Sequence, residues 1–348
     1  MTTTQFADLG VDQDLVDALT ERGISAPFEI QALTIPDGLA GRDVCGRAKT
    51  GSGKTLAFGL PLVQLLPNAQ PGRPTGLALV PTRELAVQVS RELEPLAKVR
   101  NISVLAVYGG APIEKQIAAL EKGVELVVAT PGRMIDLIER GELSVADVER
   151  VVIDEADRMA DMGFMPQVEW ILRRAEADHQ TLLFSATLDG MVGGLISRYQ
   201  NDPVMHEIAA GEATVEEMEH RFLAVHEMDR VKVAAAIIDG SNRTIVFSRT
   251  KWGADKLTRR LVEEGVNAAA IHGDLRQSQR EKALGDFANG KVKALVATDV
   301  AARGIHVDDV DVVIHYDPPS DAKTYLHRSG RTARAGESGV VVSLVVWN

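Results

Sequence analysis

The chain has 348 residues, 45% of them hydrophobic and 25% charged, with a formal net charge of −11. That length predicts two domains, each large enough for its own core, and the composition excludes a disordered chain, a collagen and a coiled coil. The single Cys excludes an intramolecular disulfide and a multi-Cys zinc site, while the acidity excludes a bulk basic surface but not nucleic acid in a local groove.

The opening residues, MTTTQFADLGVDQD, lack a basic start and an apolar core, so they do not read as a signal peptide. No apolar run approaches the roughly 20 residues of a membrane span. The expectation is a soluble, cytoplasmic protein of a reducing compartment. Short β-branched runs then alternate with helical patterns. Strand candidates lie at 77–80, 126–129, 151–153 and 182–184, then at 245–247, 268–271, 294–297, 312–314 and 340–342. Most are continuously apolar, as strands buried on both faces of a parallel sheet are. Helical patterns such as 83–97 and 251–264 lie between them. This alternation predicts α/β architecture with right-handed crossovers. The series pauses near 203–220, where Glu207, Glu212, Glu216, Glu217 and Glu219 meet no Lys or Arg. The expected organisation is a domain over 1–204, a linker over 205–220 and a second domain over 221–348. The halves look alike in fold, with no residue-level repeat visible between them. In such sheets ligands bind at the carboxyl ends of the strands, so the candidate residues are those that follow each strand.

Residues 48–55 read Ala-Lys-Thr-Gly-Ser-Gly-Lys-Thr after a strand candidate at 43–46. The phosphate-loop pattern has Gly at its first position, where this chain has Ala48; Gly51, Gly53, Lys54 and Thr55 fit it. Glycines let backbone N–H groups converge on phosphate oxygens, and the following helix adds its positive end. Lys54 can reach the β and γ phosphates, and the Thr55 hydroxyl can hold Mg²⁺. Taken alone this is a Gly-rich turn with a surface lysine. The downstream run Val151-Val152-Ile153-Asp154-Glu155-Ala156-Asp157 selects the phosphate reading. There an apolar strand delivers carboxylates to the sheet edge, with Asp154 suited to Mg²⁺ and Glu155 to the attacking water.

Together these residues resemble one family, the DEAD-box ATP-dependent RNA helicases of superfamily 2, and the match runs in order along nearly the whole chain. Phe6 and the segment from Gly23 to Gln31 resemble the adenine-reading Q motif with its upstream aromatic. Residues 48–55 resemble motif I. Pro81-Thr82-Arg83-Glu84-Leu85-Ala86, Gly109-Gly110 and Thr130-Pro131-Gly132-Arg133 resemble the RNA-side motifs of the first domain. Asp154-Glu155-Ala156-Asp157 is the name-giving motif, and Ser185-Ala186-Thr187 the coupling motif. In the second half, 245–250, the pair Gln277 and Arg280, 297–304 and 327–334 complete the set.

The resemblance implies two tandem RecA-like domains, each a mainly parallel sheet flanked by helices, binding ATP, Mg²⁺ and RNA across the cleft between them. It implies that Phe6, Gln31, Thr50, Gly51, Ser52, Gly53, Lys54, Thr55 and Asp154 bind the nucleotide, with Thr55 and Asp154 on the metal. Lys54, Asp154 and Glu155 would act in catalysis, joined by Arg331 and Arg334 as arginine fingers from the same chain. Thr82, Arg83, Gly110, Thr130, Arg133, Arg280 and Thr298 would hold the RNA backbone, in contacts that carry no sequence information. Asp157, Ser185, Thr187 and Arg328 would couple the domains. The implied function is an RNA-dependent ATPase that opens short duplexes or remodels RNA–protein complexes. An ATP-dependent RNA clamp with little unwinding, or a DNA helicase of the same superfamily, stays open as an alternative.

Three positions depart from the family pattern. Phe28 stands where a Ser or Thr hydroxyl usually supports the phosphate loop, His306 stands where an Asp is associated with the ribose, and Ala333 replaces a Gly. Cys45 reads as a buried inert thiol, and Trp170 and Trp252 as packing residues. His272 has no independent role, and His179, His206, His220 and His226 show no metal-ligand clustering. The last motif is followed closely by Val346-Trp347-Asn348, so the expectation is a second domain without the basic tail that family members often carry. No feature of the chain identifies a protein partner.

Overall fold

A computed structural model describes residues 5–48, 51–175, 178–188, 190–208, 218–302, 310–332 and 339–347. Thr50, Arg303, Gly304, His306, Ala333 and Arg334 lie outside the described residues. The chain divides into two compact units, Met1–Ala210 and Gly211–Asn348.

The first unit holds strands β1 (Val44–Arg47), β2 (Gly76–Leu79), β3 (Val104–Val107), β4 (Leu126–Ala129), β5 (Arg150–Asp154), β6 (Gln180–Ser185) and β7 (Val204–Glu207). They form one parallel sheet in the order β3-β4-β2-β5-β6-β1-β7. The second unit holds β8 (Met218–His226), β9 (Thr244–Phe247), β10 (Ala268–Ile271), β11 (Ala294–Ala297), β12 (Val312–His315) and β13 (Gly339–Trp347). Its parallel sheet runs β10-β11-β9-β12-β13-β8. Strand for strand this repeats the first order, without a counterpart of β7 among the described residues. These are the two RecA-like sheets, flanked by helices, that the sequence implied.

Continuous apolar runs form the central strands because both sheet faces are covered. Along β2, Leu77 and Leu79 join one buried cluster, while Ala78 and the following Val80 join the opposite one. In β9, Ile245 and Phe247 face one cluster and Val246 the other. This two-residue alternation is what a pleated strand between two helical layers requires.

The linker expected over 205–220 is shorter in its described part. Residues 204–207 pair with β1, Val44 opposite Val204, and 218–220 already belong to β8. Both strands lie at sheet edges; β7 carries His206 and Glu207, and β8 opens with Glu219, His220 and Arg221 ahead of its apolar run at 222–225. Trp252 also departs from expectation. The residue is 68% exposed, with the Lys256 ammonium 4.9 Å from its ring centre. Trp170 does pack, against the first unit's second cluster. Cys45 is buried, and burial pushes its thiol up to about 11, which fits an inert side chain.

Candidate functional site

Strand β1 brings the glycine-rich loop to the carboxyl edge of the first sheet. Gly51 and Gly53 take φ of 89° and 84°, the left-handed conformation that glycine adopts cheaply. A side chain at Gly53 would also collide with Phe28 and Gln31, both 2.5 Å from an added Cβ. The helix Lys54–Leu65 starts directly after it. Lys54 is its first residue and is buried; its Nζ donates to the Ala48 carbonyl at 3.1 Å and lies 4.0 Å from Asp154 Oδ1.

Asp154 closes β5 and is itself buried. Burial pushes its carboxyl up to about 6; Lys54 opposes the shift and Glu155 adds to it. A carboxyl so placed is short of positive charge. It therefore fits Mg²⁺, which is usually held by one or two carboxylates together with substrate phosphates, not by an all-protein cage. Among the described residues no group of three metal-ligating side chains is assembled. Thr55, the second expected ligand, follows Lys54 and turns its hydroxyl toward the part-buried Glu92. That hydroxyl can donate to Glu92 and keep a lone pair for a cation.

Glu155 has φ of 52°, rare for a residue with a side chain. Its Oε2 accepts from Arg158 Nη1 at 2.5 Å, both side chains being largely buried. Sequence reasoning does not find Arg158. Its only signal is the three-residue spacing from Glu155, ordinary on any helix. Asp157 and Ser185, both expected in coupling, lie together: the Asp157 N–H donates to Ser185 Oγ at 3.1 Å, and that hydroxyl donates to the Thr187 carbonyl at 2.6 Å.

Two residues expected at the base are placed differently. Phe6 is 1% exposed and lies in the first unit's core, so the structure does not offer its ring for stacking. Gln31 is buried with both ends of its amide engaged. Its Oε1 accepts from the Phe28 N–H at 2.8 Å, and its Nε2 donates to the Gly53 carbonyl at 2.9 Å.

Of the first unit's RNA-side candidates, Arg83 and Arg133 converge on the loop at Gly110 and Ala111. Thr82 caps the helix Arg83–Val99 by accepting from the Leu85 N–H at 3.3 Å. The Arg83 guanidinium lies over Gly110, where an added Cβ would meet it at 2.3 Å. Arg133 donates to the Ala111 carbonyl at 3.2 Å. The N–H of Thr130 donates to the Val107 carbonyl at 2.9 Å.

Register reveals a repeat that the sequence conceals. Ile153 pairs with Leu79 and Leu183, as His315 pairs with Phe247 and Ser343. Counting from these positions, Thr82 corresponds to Thr250, which likewise caps its helix, through the Gly253 N–H at 2.9 Å. From the pairs Val107–Ala129 and Ile271–Ala297, Thr130 corresponds to Thr298, and Tyr108-Gly109-Gly110 to His272-Gly273-Asp274. The buried His272 thereby acquires a place, with its Nε2 bonded to Asp255 at 2.9 Å.

Residues 28–192 match the DEAD/DEAH box helicase family and residues 229–336 the helicase conserved C-terminal domain. CshA of Geobacillus kaustophilus, a DEAD-box ATP-dependent RNA helicase, is 43% identical over 344 residues, covering 98% of this chain and 73% of that protein. The chain belongs to the DEAD-box ATP-dependent RNA helicases. Among solved structures, S. cerevisiae Dbp5 bound to RNA and ADP BeF3 is similar with a TM-score of 0.85 and 29% identity, over 99% of this chain and 90% of that one. A DEAD box protein from the hyperthermophile Methanococcus jannaschii reaches a TM-score of 0.56 at 37% identity, over 98% and 93%.

In the second unit the place matching the phosphate loop is built differently. Where β1 leads into the loop, β8 leads into the three-residue turn Glu227-Met228-Asp229 and the helix Arg230–Asp239. Arg230 takes the helix-start place of Lys54. It is 7% exposed, pairs with Asp317 at 3.1 Å and stacks over Tyr316 at 4.0 Å, and Tyr316 stands at the register of Asp154. The protein's own carboxylate and ring fill the space around the cation, and the turn adds two more acidic residues.

Arg331, at the turn after the helix Ala322–Ser329, donates from Nε to the His327 carbonyl at 3.3 Å. Arg280 lies half-buried on the helix Gln277–Ala288. Arg328, expected in coupling, is engaged inside its own unit. It binds Asp299 through Nε at 2.6 Å and Nη2 at 2.8 Å, and the Asp317 carbonyl through Nη1 at 2.6 Å. Removing one partner of a buried pair costs about 3–5 kcal/mol, and the lower end applies because Asp299 stays partly exposed. Arg328→Ala should therefore lower the urea midpoint of the second unit's transition by about 3 kcal/mol equivalent. An unchanged midpoint would restrict Arg328 to a role outside its own unit.

His315 carries a pH dependence. Burial first, then the Arg328 charge, pushes it down to about 3. In the unfolded chain it takes a proton at about 6.5. With the folded value depressed, its stabilisation is complete above about pH 6.5 and is lost as pH falls toward 3, reaching a loss of about 2 kcal/mol at pH 5. Urea titrations of wild type and His315→Asn at pH 7 and 5 measure this. The drop between the two conditions should be smaller in the variant by about 2 kcal/mol, and equal drops would acquit His315.

Proposed function

We propose that the chain couples ATP hydrolysis to local strand separation in short RNA duplexes, with the two units closing on nucleotide and RNA together. The observation that carries this reading is the convergence at one sheet edge: a glycine loop, a buried lysine and a buried carboxyl 4.0 Å from it. Lys54 and the loop's N–H groups bind the β and γ phosphates. Asp154 and Thr55 would hold Mg²⁺, which when bound supplies charge neutralisation across the phosphate oxygens. Glu155, oriented by Arg158, accepts the proton of the attacking water. Arg331 and Arg334 meet the charge that develops on the γ-phosphoryl group.

Arg83 and Arg133 hold the loop from Gly109 to Ala111, and Thr82, Thr130 and their counterparts Thr250 and Thr298 cap helices or follow parallel strands. Such repeated Thr and N–H groups suit a regularly spaced sugar–phosphate backbone and ignore base identity. The Asp157–Ser185–Thr187 chain of hydrogen bonds links the carboxylate motif to the end of β6, a route by which hydrolysis acts on strand contacts. ATPase rate with single-stranded RNA, single-stranded DNA and no nucleic acid, together with displacement of a short labelled RNA strand, tests the reading. RNA stimulation with ATP-dependent displacement is expected. Stimulation without displacement would favour a clamp, and equal stimulation by DNA would remove the RNA assignment.

A further inference from the structure

The nucleotide site carries an open aromatic ring at a position where the sequence points only to a lost hydroxyl. Phe28 is 62% exposed and adds nothing to the core clusters. It also serves its helix poorly. As N-cap of the helix Glu29–Leu39 it provides no side-chain cap, unlike a Ser, Thr, Asp or Asn in that place. Its surroundings nevertheless hold it closely. The ring sits against Gly53, with Cδ2 2.5 Å from where a Cβ would stand. Its N–H is bonded to Gln31, and Gln31 is bonded to the Gly53 carbonyl, so ring, amide and loop form one linked unit.

Resting on the reading of residues 48–55 as the nucleotide site, we propose that Phe28 is the base-contacting aromatic of this chain. The ring meets the phosphate loop through Cδ2 at Gly53, and its open side receives the base of the nucleotide whose phosphates the loop binds. Phe6 cannot do this, because it is enclosed in the core. Phe28 and Gln31 crowd the same point on Gly53, so a base seated on the Phe28 ring lies beside the Gln31 amide. Stacking supplies affinity for any base, because every base has a π-face, and the choice of adenine is left to hydrogen bonding.

Calorimetric titration of ADP and of inorganic tripolyphosphate separates base contact from phosphate contact. Phe28→Ala and Phe28→Thr should bind ADP about tenfold more weakly, or about 1.4 kcal/mol, while tripolyphosphate binding stays at the wild-type level. Phe28→Trp should keep ADP affinity, and its added fluorescence should be quenched by ADP but not by tripolyphosphate. ADP affinity in Phe28→Ala within about twofold of wild type would overturn the proposal. So would a parallel loss of ADP and tripolyphosphate, which would make the ring a prop for the loop. Lys54→Ala serves as the control for the underlying reading: if it binds both ligands like wild type, the nucleotide-site assignment fails first and this inference with it.

Discussion

Glu155→Gln should keep ATP and RNA affinity and lose hydrolysis by about 10²–10⁴-fold, the range a positioned general base contributes. The amide has the shape of the carboxylate but cannot take the proton of the attacking water. Three features single this position out. The backbone is left-handed at φ 52° right after β5, the residue is 5% exposed, and one of its side-chain oxygens is held by Arg158 at 2.5 Å. Strain of this kind persists where surrounding structure over-determines it, and functional sites are where it gathers. The same substitution weakens the pair with Arg158, so a second variant is needed. Arg158→Lys keeps a cation near Glu155 and should lose far less turnover than Glu155→Gln. Single-turnover hydrolysis with saturating RNA, alongside ATP titration in the same variants, measures both effects. Near-normal turnover in Glu155→Gln would take Glu155 out of the base role. Equal losses in the two variants would mean that the ion pair, not proton transfer, was being measured.

What the sequence discloses divides along a physical line. Central strands are readable because a strand covered on both faces is continuously apolar, as in Leu126–Ala129. β7 and the start of β8 are not, because His206 and Glu207, and Glu219, His220 and Arg221, break the apolar pattern there, whereas the apolar edge strand β10 is readable. The phosphate loop is readable because few other roles require Gly51, Gly53, Lys54 and Thr55 in that spacing. The repeat between the sheets stays hidden because it resides in register and not in identity. Pro81-Thr82-Arg83 and Arg249-Thr250-Lys251 share only a threonine, yet both threonines cap a helix at the same sheet position. Arg158, Arg230 and the open face of Phe28 depend on what the fold sets beside them. A sequence motif names Lys54 as a phosphate ligand; only the packing shows that Arg230, in the matching place, is already neutralised by Asp317. Phe6 misleads in the same way, since an aromatic near a motif can equally be a core residue.

The second large effect separates binding from rate. Lys54→Ala should weaken nucleotide binding by about 10²-fold, since a charge-assisted hydrogen bond to phosphate contributes about 1.5–3 kcal/mol. Lys54 meets phosphate charge already present in the ground state, so its loss shows up in affinity. It also removes the cation that opposes the effect of burial on Asp154, leaving that carboxyl still harder to ionise. Arg331→Ala and Arg334→Ala should behave in the opposite way. They belong to the second unit, whose helix-start position is taken by the neutralised Arg230, and a finger meets charge that builds only as the γ-phosphoryl group transfers. Their ATP affinity without RNA should stay near wild type, while the RNA-stimulated rate falls by about 10³–10⁵-fold. Equilibrium titration with a fluorescent ADP, followed by single-turnover hydrolysis at saturating ATP and RNA, places each variant on the two axes. If Arg331→Ala or Arg334→Ala lost nucleotide affinity and kept its turnover, that arginine would be a ground-state ligand and the finger assignment would fall. If Lys54→Ala kept affinity and lost only rate, the phosphate loop would be binding its ligand without its lysine, and the buried pair with Asp154 would be the group to re-examine.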